Sequence, residues 1–209
     1  MMYRYDTLPS TNETAKELAR AGAPHGTVVV TGEQTAGKGQ QGHSFFSPAG
    51  HGLYVSFILS PTREGECVHT LDRSLLETPP LATIWTALQV CEAIEAISDA
   101  SPRVKWINDI LLDGRKIGGV LAEAETRAGQ EAPEWLVLGI GINISTPNGL
   151  FPPELQDSAG ALFEGIDEAT ARTRTEQLLQ ELIQRILGEA SATPTSLRSV
   201  IARPDAQSH

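Results

Sequence analysis

Residues 32–60 read GEQTAGKGQQGHSFFSPAGHGLYVSFILS, and the residues after the first cluster of glycines decide the fold. Gly32, Gly37 and Lys38 match the first seven positions of the phosphate loop G-x-x-x-x-G-K, while Gly37, Gly39 and Gly42 match the dinucleotide pattern G-x-G-x-x-G. Both motifs hand the phosphate to the N-terminus of a helix that begins at the loop. Here Gly39 stands where a phosphate loop needs a Ser or Thr hydroxyl, and Gly42, Pro48, Gly50 and Gly52 are turn punctuation. Leu53 to Leu59 then alternates as a strand. Neither nucleotide fold applies. The motif alone leaves two readings open, an anion-binding loop between strands and an ordinary hairpin turn.

Working outward, GTVVVTGEQ is a β-branched run that feeds the loop. Ahead of it, Ser10 to Ala21 reads as a helix, with Ser10 as cap, Glu13 completing a capping box and Gly22 ending it. Downstream, PPLATIWTALQVCEAIEAI opens on prolines and sets Leu81, Ile84, Leu88, Cys91 and Ile94 at helical spacing. RVKWIND and ILLDGRKIGGVLAEAE read as strands, the second a hairpin turning at Asp113-Gly114. WLVLGIGINIS is a buried strand. Thr170 to Leu187 is a helix with Leu178, Leu179, Leu182, Ile183 and Ile186 inward. Hairpins joined through occasional helices predict an α+β fold, a mixed, largely antiparallel sheet with packed helices. Residues 1–187 form the domain, and 188–209, small and polar, a loosely ordered tail.

The chain has 209 residues, 40% hydrophobic and 20% charged, which suits one domain with a core. A formal net charge of −10 disfavours binding along a nucleic acid backbone. No run of 18 apolar residues predicts a membrane span, and MMYRYDTLPSTNE lacks an apolar signal segment, so a cytoplasmic location is expected. Cys67 and Cys91 form no motif, and Cys91 reads as a buried thiol.

Polar residues that a core does not need fall at strand ends or in loops: Ser10-Thr11-Asn12, Gln34, Lys38, Asn108-Asp109, Lys116 and Asn143. In the segments STNETAKELA, GEQTAGKGQQGHSFFSPAGHGLYVSF, VKWINDILLDGRKIGGVLAE and LGIGINIS, this ordered set resembles the biotin protein ligases from about Ser10 to Ser145. The glycine loop combined with KWxND and a downstream RKIGG is the specific part. The resemblance implies the catalytic domain shared with lipoate ligases and related to class II aminoacyl-tRNA synthetases. It implies a biotin–[acetyl-CoA-carboxylase] ligase, in which biotin and ATP give biotinyl-5′-AMP and pyrophosphate. Biotin then passes to a lysine of the biotin carboxyl carrier protein of acetyl-CoA carboxylase or a related carboxylase.

By that resemblance, Ser10, Thr11, Asn12 and Gln34 meet biotin's ureido ring, and Lys38, Gly39, Gln40 and Lys116 complete the biotin site. Lys38 and Lys116 are the catalytic candidates, stabilising charge as carboxylate and phosphate approach. Gly37, Gly39, Asn108, Asp109 and Asn143 fall to ATP, with Mg²⁺ carried on its phosphates and touched by Asp109. Plainer readings stand beside these. Ser10 serves as a helix cap, Lys116 as a solvated hairpin charge, Asn108-Asp109 as a turn, Asn143 as a strand-end cap, and Trp106 as core or pocket wall. The family's loop is rich in arginine, whereas this one has Gln40, Gln41 and His43, leaving Lys38 as its one fixed positive charge. Neither a DNA-binding domain before Ser10 nor a small β-domain after the last helix is expected, so DNA is not an expected partner; a homodimer is compatible. The alternatives are a lipoate-type ligase, a non-catalytic biotin or biotinyl-AMP binding module and, weakest, a nucleotide-binding structural protein.

Overall fold

The computed structural model describes residues 1–60, 75, 77–126, 129, 132–146 and 151–188. Seven strands form one sheet: β1 (Met2–Leu8), β2 (Thr27–Gln34), β3 (Gly52–Leu59), β4 (Arg103–Lys105), β5 (Asp109–Leu112), β6 (Arg115–Glu125) and β7 (Trp135–Asn143). Their order across the sheet is β1-β2-β3-β7-β6-β5-β4. β1 and β2 run parallel and every other neighbouring pair antiparallel, which is the mixed sheet expected. β1 is a strand the sequence reading lacks. Three α-helices join the strands among the described residues: α1 (Thr11–Arg20), α2 (Pro79–Ile97) and α3 (Glu168–Leu187). Cys67 and the expected tail beyond Gly188 lie outside the described residues.

α2 and α3 cover one face of the sheet. Leu88, Cys91 and Ile94 of α2 and Leu178, Leu182 and Ile186 of α3 join Val55, Phe57 and Leu59 of β3 and Leu136, Leu138 and Ile140 of β7 in the main core. α1 covers part of the other face, packing Ala15, Leu18 and Ala19 against Val29, Ile58, Val137 and Trp135. β3 is therefore buried along its whole length, not on alternate residues as expected, because helices lie on both sides of it. Truncating Leu138, fully buried in this layer, to alanine would cost about 2–5 kcal/mol. Leu81 departs from its expected inward position. It faces solvent, while Ala82 and Thr83 are buried in its place. Cys91 is buried as expected, and burial, with Glu95 and Glu92 nearby, pushes its thiol up to about 12.

Two local geometries place the site. Asp113 and Gly114 both have positive φ (49° and 80°), as a tight hairpin turn between β5 and β6 requires. The glycine loop leaves β2 and folds back on itself through Gln34 N–H to Ser47 O (3.1 Å), Phe45 N–H to Gly37 O (2.8 Å) and Gly39 N–H to His43 O (2.7 Å). Its tip is a single 3-10 turn, Gln40–Gly42; no α-helix begins there. Ser10 occupies the cap position of α1, but its side chain makes no capping hydrogen bond. The expected capping box is absent because Glu13 turns instead toward Lys16 and Lys38.

Candidate active site

On the α1 side of the sheet, the start of α1, the glycine loop, β6 and β7 border a narrow, partly open cleft. Ser10, Thr11, Asn12, Gln34, Lys38, Gly39, Asn108 and Lys116 all line it, although 106 positions separate the first from the last. β7 supplies a floor without side chains. A Cβ at Gly139 would lie 2.0 Å from Asn12 Oδ1, and one at Gly141 would lie 2.6 Å from the Phe45 ring. Glycine at 139 is what lets α1 settle on the sheet.

A hydrogen-bond network runs under the cleft. Gln34 Oε1 accepts from Thr11 N–H at 2.9 Å and lies 3.2 Å from Thr11 Oγ1; Gln34 Nε2 donates to Ser47 Oγ at 3.0 Å. Asn12 Nδ2 donates to Glu123 Oε2 (2.8 Å) and, at 3.4 Å, to Leu121 O, while Ser56 Oγ sits 2.6 Å from Asn12 Oδ1. Asn12 is 4% exposed and its amide is engaged by the protein on every side. It anchors α1 to β3 and β6 while also lining the cleft. The Ser10 hydroxyl, by contrast, caps nothing and borders the cleft.

Each of the two cleft lysines rests on a carboxylate. Lys116 Nζ is 2.6 Å from Asp109 Oδ1. Lys38 Nζ meets Glu13 Oε1, which Lys16 also holds at 2.7 Å, and Lys16 reaches Glu123 Oε1 at 2.9 Å. Lys16 and then Lys38 hold the Glu13 carboxyl below its ordinary value. Burial alone would lower Lys16, but Glu13 and Glu123 outweigh it and raise the ammonium above its usual value. The Lys38 and Lys116 side chains are 51% and 39% exposed, and pairs this open contribute at most about 1 kcal/mol. An arriving phosphate can displace the carboxylates. Among the described residues no group of three or more His, Cys, Asp or Glu is arranged to hold a metal ion.

Four expected residues stand outside the cleft lining: Gly37, Gln40, Asp109 and Asn143. Gly37 is required by the loop's own packing, since a Cβ there would lie 2.4 Å from Phe45 O. Gly39 lines the cleft, but its N–H is spent on His43 O, so in this conformation it offers no donor to an anion. Gln40 lies half-buried in the loop tip. Asn143 is buried and donates to Gly160 O at 2.9 Å, fixing the segment beside the start of β6. Trp106, 65% exposed, is neither core nor pocket wall. Sequence reasoning passed over Phe45, Ser47, Ser56, Glu123 and Gly139. Of these only Gly139, in an apolar strand with Gly141, carried a signal, since strand glycines mark close approach.

Residues 5–143 match the sequence profile of the biotin/lipoate A/B protein ligase family. The bifunctional ligase/repressor BirA of Bacillus spizizenii is 38% identical over 167 residues, covering 80% of this chain and 47% of its own. A biotin protein ligase from Aquifex aeolicus, solved in complex with biotin and ATP, is 26% identical with a TM-score of 0.59, covering 88% of this chain and 71% of its own. The Leishmania major biotin protein ligase, solved with biotin, shares the fold with a TM-score of 0.69 at 21% identity, covering all of this chain and 83% of its own. The chain spans about half the length of the two Bacillus BirA relatives it matches. No described helix is long and apolar enough to cross a membrane. With a family profile covering most of its sheet and the whole cleft wall, the chain belongs to the biotin/lipoate A/B protein ligase family.

Proposed function

We propose that the chain is an ATP-dependent biotin protein ligase. The observation that carries this reading is one cleft that gathers Ser10, Thr11 and Gln34 with two displaceable lysines, Lys38 and Lys116. A ureido ring presents N–H donors and a carbonyl acceptor, which those hydroxyls and the amide can match. The dithiolane of lipoate presents none of these, so the polar set favours biotin.

In the first step the carboxylate of biotin attacks the α-phosphorus of ATP. A carboxyl O–P bond forms, the bond to the bridging oxygen breaks, and pyrophosphate leaves. Two anions must close to bonding distance, and like charges at 4 Å repel by about 4 kcal/mol at an effective dielectric of 20. Lys38 and Lys116 offset this by leaving Glu13 and Asp109 for the reacting oxygens. Glu13 keeps Lys16 as its partner when Lys38 departs. Mg²⁺ would arrive as part of the nucleotide substrate; as a hard cation it would take oxygen ligands, and the Asp109 carboxylate, once Lys116 leaves it, would be available as one beside the phosphates. Asn108 borders the nucleotide, Gly39 and Gly37 approach it only after the loop releases the Gly39 N–H, and Asn143 acts through the segment it holds. In the second step a lysine amine of the biotin carboxyl carrier protein attacks the mixed anhydride. An amide forms and AMP leaves.

The test is exchange of labelled pyrophosphate into ATP, followed by transfer to a purified carrier domain of acetyl-CoA carboxylase. Biotin supports both on this reading. Exchange with lipoate instead would make it a lipoate-type ligase, and biotin binding without exchange would make it a binding module.

A further inference from the structure

One ion pair ties the tip of the glycine loop to the rest of the molecule. The root of the loop is bound through its backbone, with Thr35 N–H donating to Leu8 O at 3.0 Å and Ala36 N–H to Pro9 O at 2.9 Å. Beyond Gly37 this changes. Among the described side chains of residues 38–44, only Lys38 makes a polar contact outside the loop, and its partner is Glu13 in the first turn of α1. The Gly39 and His43 amides bond within the tip itself. Glu13 does not depend on Lys38. Lys16, 13% exposed, holds the same carboxylate oxygen at 2.7 Å and is itself held by Glu123 at 2.9 Å. The first turn of a helix also favours a negative charge. Lys38, by contrast, is half exposed and borders the cleft, which Glu13 does not.

We infer that Glu13 is a latch for Lys38: it pins the loop tip to α1 while the cleft is empty and yields only to an occupant that brings a negative charge. In the empty cleft Lys38 and Lys16 balance Glu13 and Glu123. An uncharged occupant offers Lys38 nothing in exchange, so the tip stays pinned. A carboxylate or phosphate offers an equivalent partner and draws the ammonium inward, with the tip that carries it. Sharing Lys38 between Glu13 and the ligand would bring two like charges together, so the competition survives in that geometry too. The latch therefore lowers the affinity of every anionic ligand that uses Lys38 and leaves that of a neutral one untouched. Glu13 is a positioning residue, since it acts through Lys38.

This inference rests on the biotin reading, and the experiment separates the two. Calorimetric affinities are measured for biotin and for biotinol, its uncharged alcohol, on the wild-type chain, Glu13→Gln, Lys38→Met and the double variant. Amide hydrogen exchange of the empty proteins is followed alongside. Glu13→Gln should bind biotin about two- to fivefold more tightly, the scale of an exposed ion pair, and bind biotinol as the wild type does. In the Lys38→Met background the same substitution should change neither ligand. In the empty Glu13→Gln protein, exchange should quicken at the Gly39 and His43 amides and stay unchanged in the sheet. A biotin affinity that is unchanged or weakened, a gain shared equally by biotinol, or unaltered exchange at the tip overturns the inference. Glu13→Ala carries the same test if Glu13→Gln fails to fold. A wild type that binds no biotin refutes the functional reading instead, and exchange at the tip still decides the latch.

Discussion

Lys116 and Asp109 face each other across the β5–β6 hairpin with Nζ 2.6 Å from Oδ1, beside a β-bulge that shifts the register between Ile110 and Leu111. The tight turn at Asp113-Gly114 sets this meeting, and the bulge re-aims the strand beside the cleft. The ammonium rests on a weak, part-exposed partner at the cleft wall, where the proposed function needs a displaceable cation.

Lys116→Ala should therefore separate activity from stability. Loss of so open a pair should change unfolding free energy by less than about 1 kcal/mol in urea titration. Pyrophosphate exchange should fall by a factor of ~10²–10³, as when one charge-stabilising group is removed. Unchanged exchange would remove Lys116 from the catalytic role.

Two glycines in the cleft should respond in opposite ways. At Gly139 the nearest atoms to an added Cβ belong to Asn12, at 2.0 Å, and that amide cannot retreat without breaking its bonds to Glu123 and Ser56. Gly139→Ala should lower stability by about 1–3 kcal/mol and weaken biotin. At Gly119 the nearest atoms lie at 3.5 and 3.7 Å, ordinary contact, so Gly119→Ala should fold normally. Equal stability losses in chemical denaturation would contradict the packing of α1 on β7.

Acid should loosen the fold through its ion pairs. Lys16 and Lys38 lower Glu13, and Arg4 lowers Glu176, each below the ordinary value of 4.5. A depressed carboxyl stabilises the native state fully above its unfolded pKa and loses that contribution as pH falls through the folded one. The melting temperature should hold down to about pH 4.5–5 and drop below it. Glu13→Gln should flatten the drop. An identical slope in the variant would mean that Glu13 contributes nothing to it.

Gln40→Arg tests the loop tip. A forked guanidinium makes charge-assisted bonds to phosphate of about 1.5–3 kcal/mol, against about 1 for a neutral amide. If the tip closes over the adenylate, biotinyl-AMP should leave the variant about five- to thirtyfold more slowly. Equal dissociation rates would mean that residue 40 never reaches the phosphate.

The sequence disclosed structure according to the range of the interactions that make it. The Asp113-Gly114 turn, the β2 run and the three helices are local, and each is present within a residue or two of its expected bounds. β1 escaped because MYRYDTL is mostly exposed at a sheet edge and takes its strand form from pairing with β2. The alternation expected of β3 failed because the polar residue in it, Ser56, is itself buried, and its partners lie 44 and 45 positions away. Glu123 is 111 positions from Asn12, and no window of sequence contains both. The residues that line the cleft were legible as motif. Those that orient them were not, since an amide's direction depends on which strands the topology makes neighbours.

Cys91 makes the molecule its own stability gauge. Alkylating reagents need the thiolate, and a thiol 1% exposed with a pKa pushed up to about 12 offers almost none at pH 8. Modification must wait until α2 leaves the sheet. With Cys67→Ser removing the other thiol, the labelling rate of Cys91 should follow the opening equilibrium of the core. Any compound that occupies the cleft should slow that rate by the factor 1 + [L]/Kd, so a ligand can be ranked without an assay of its chemistry.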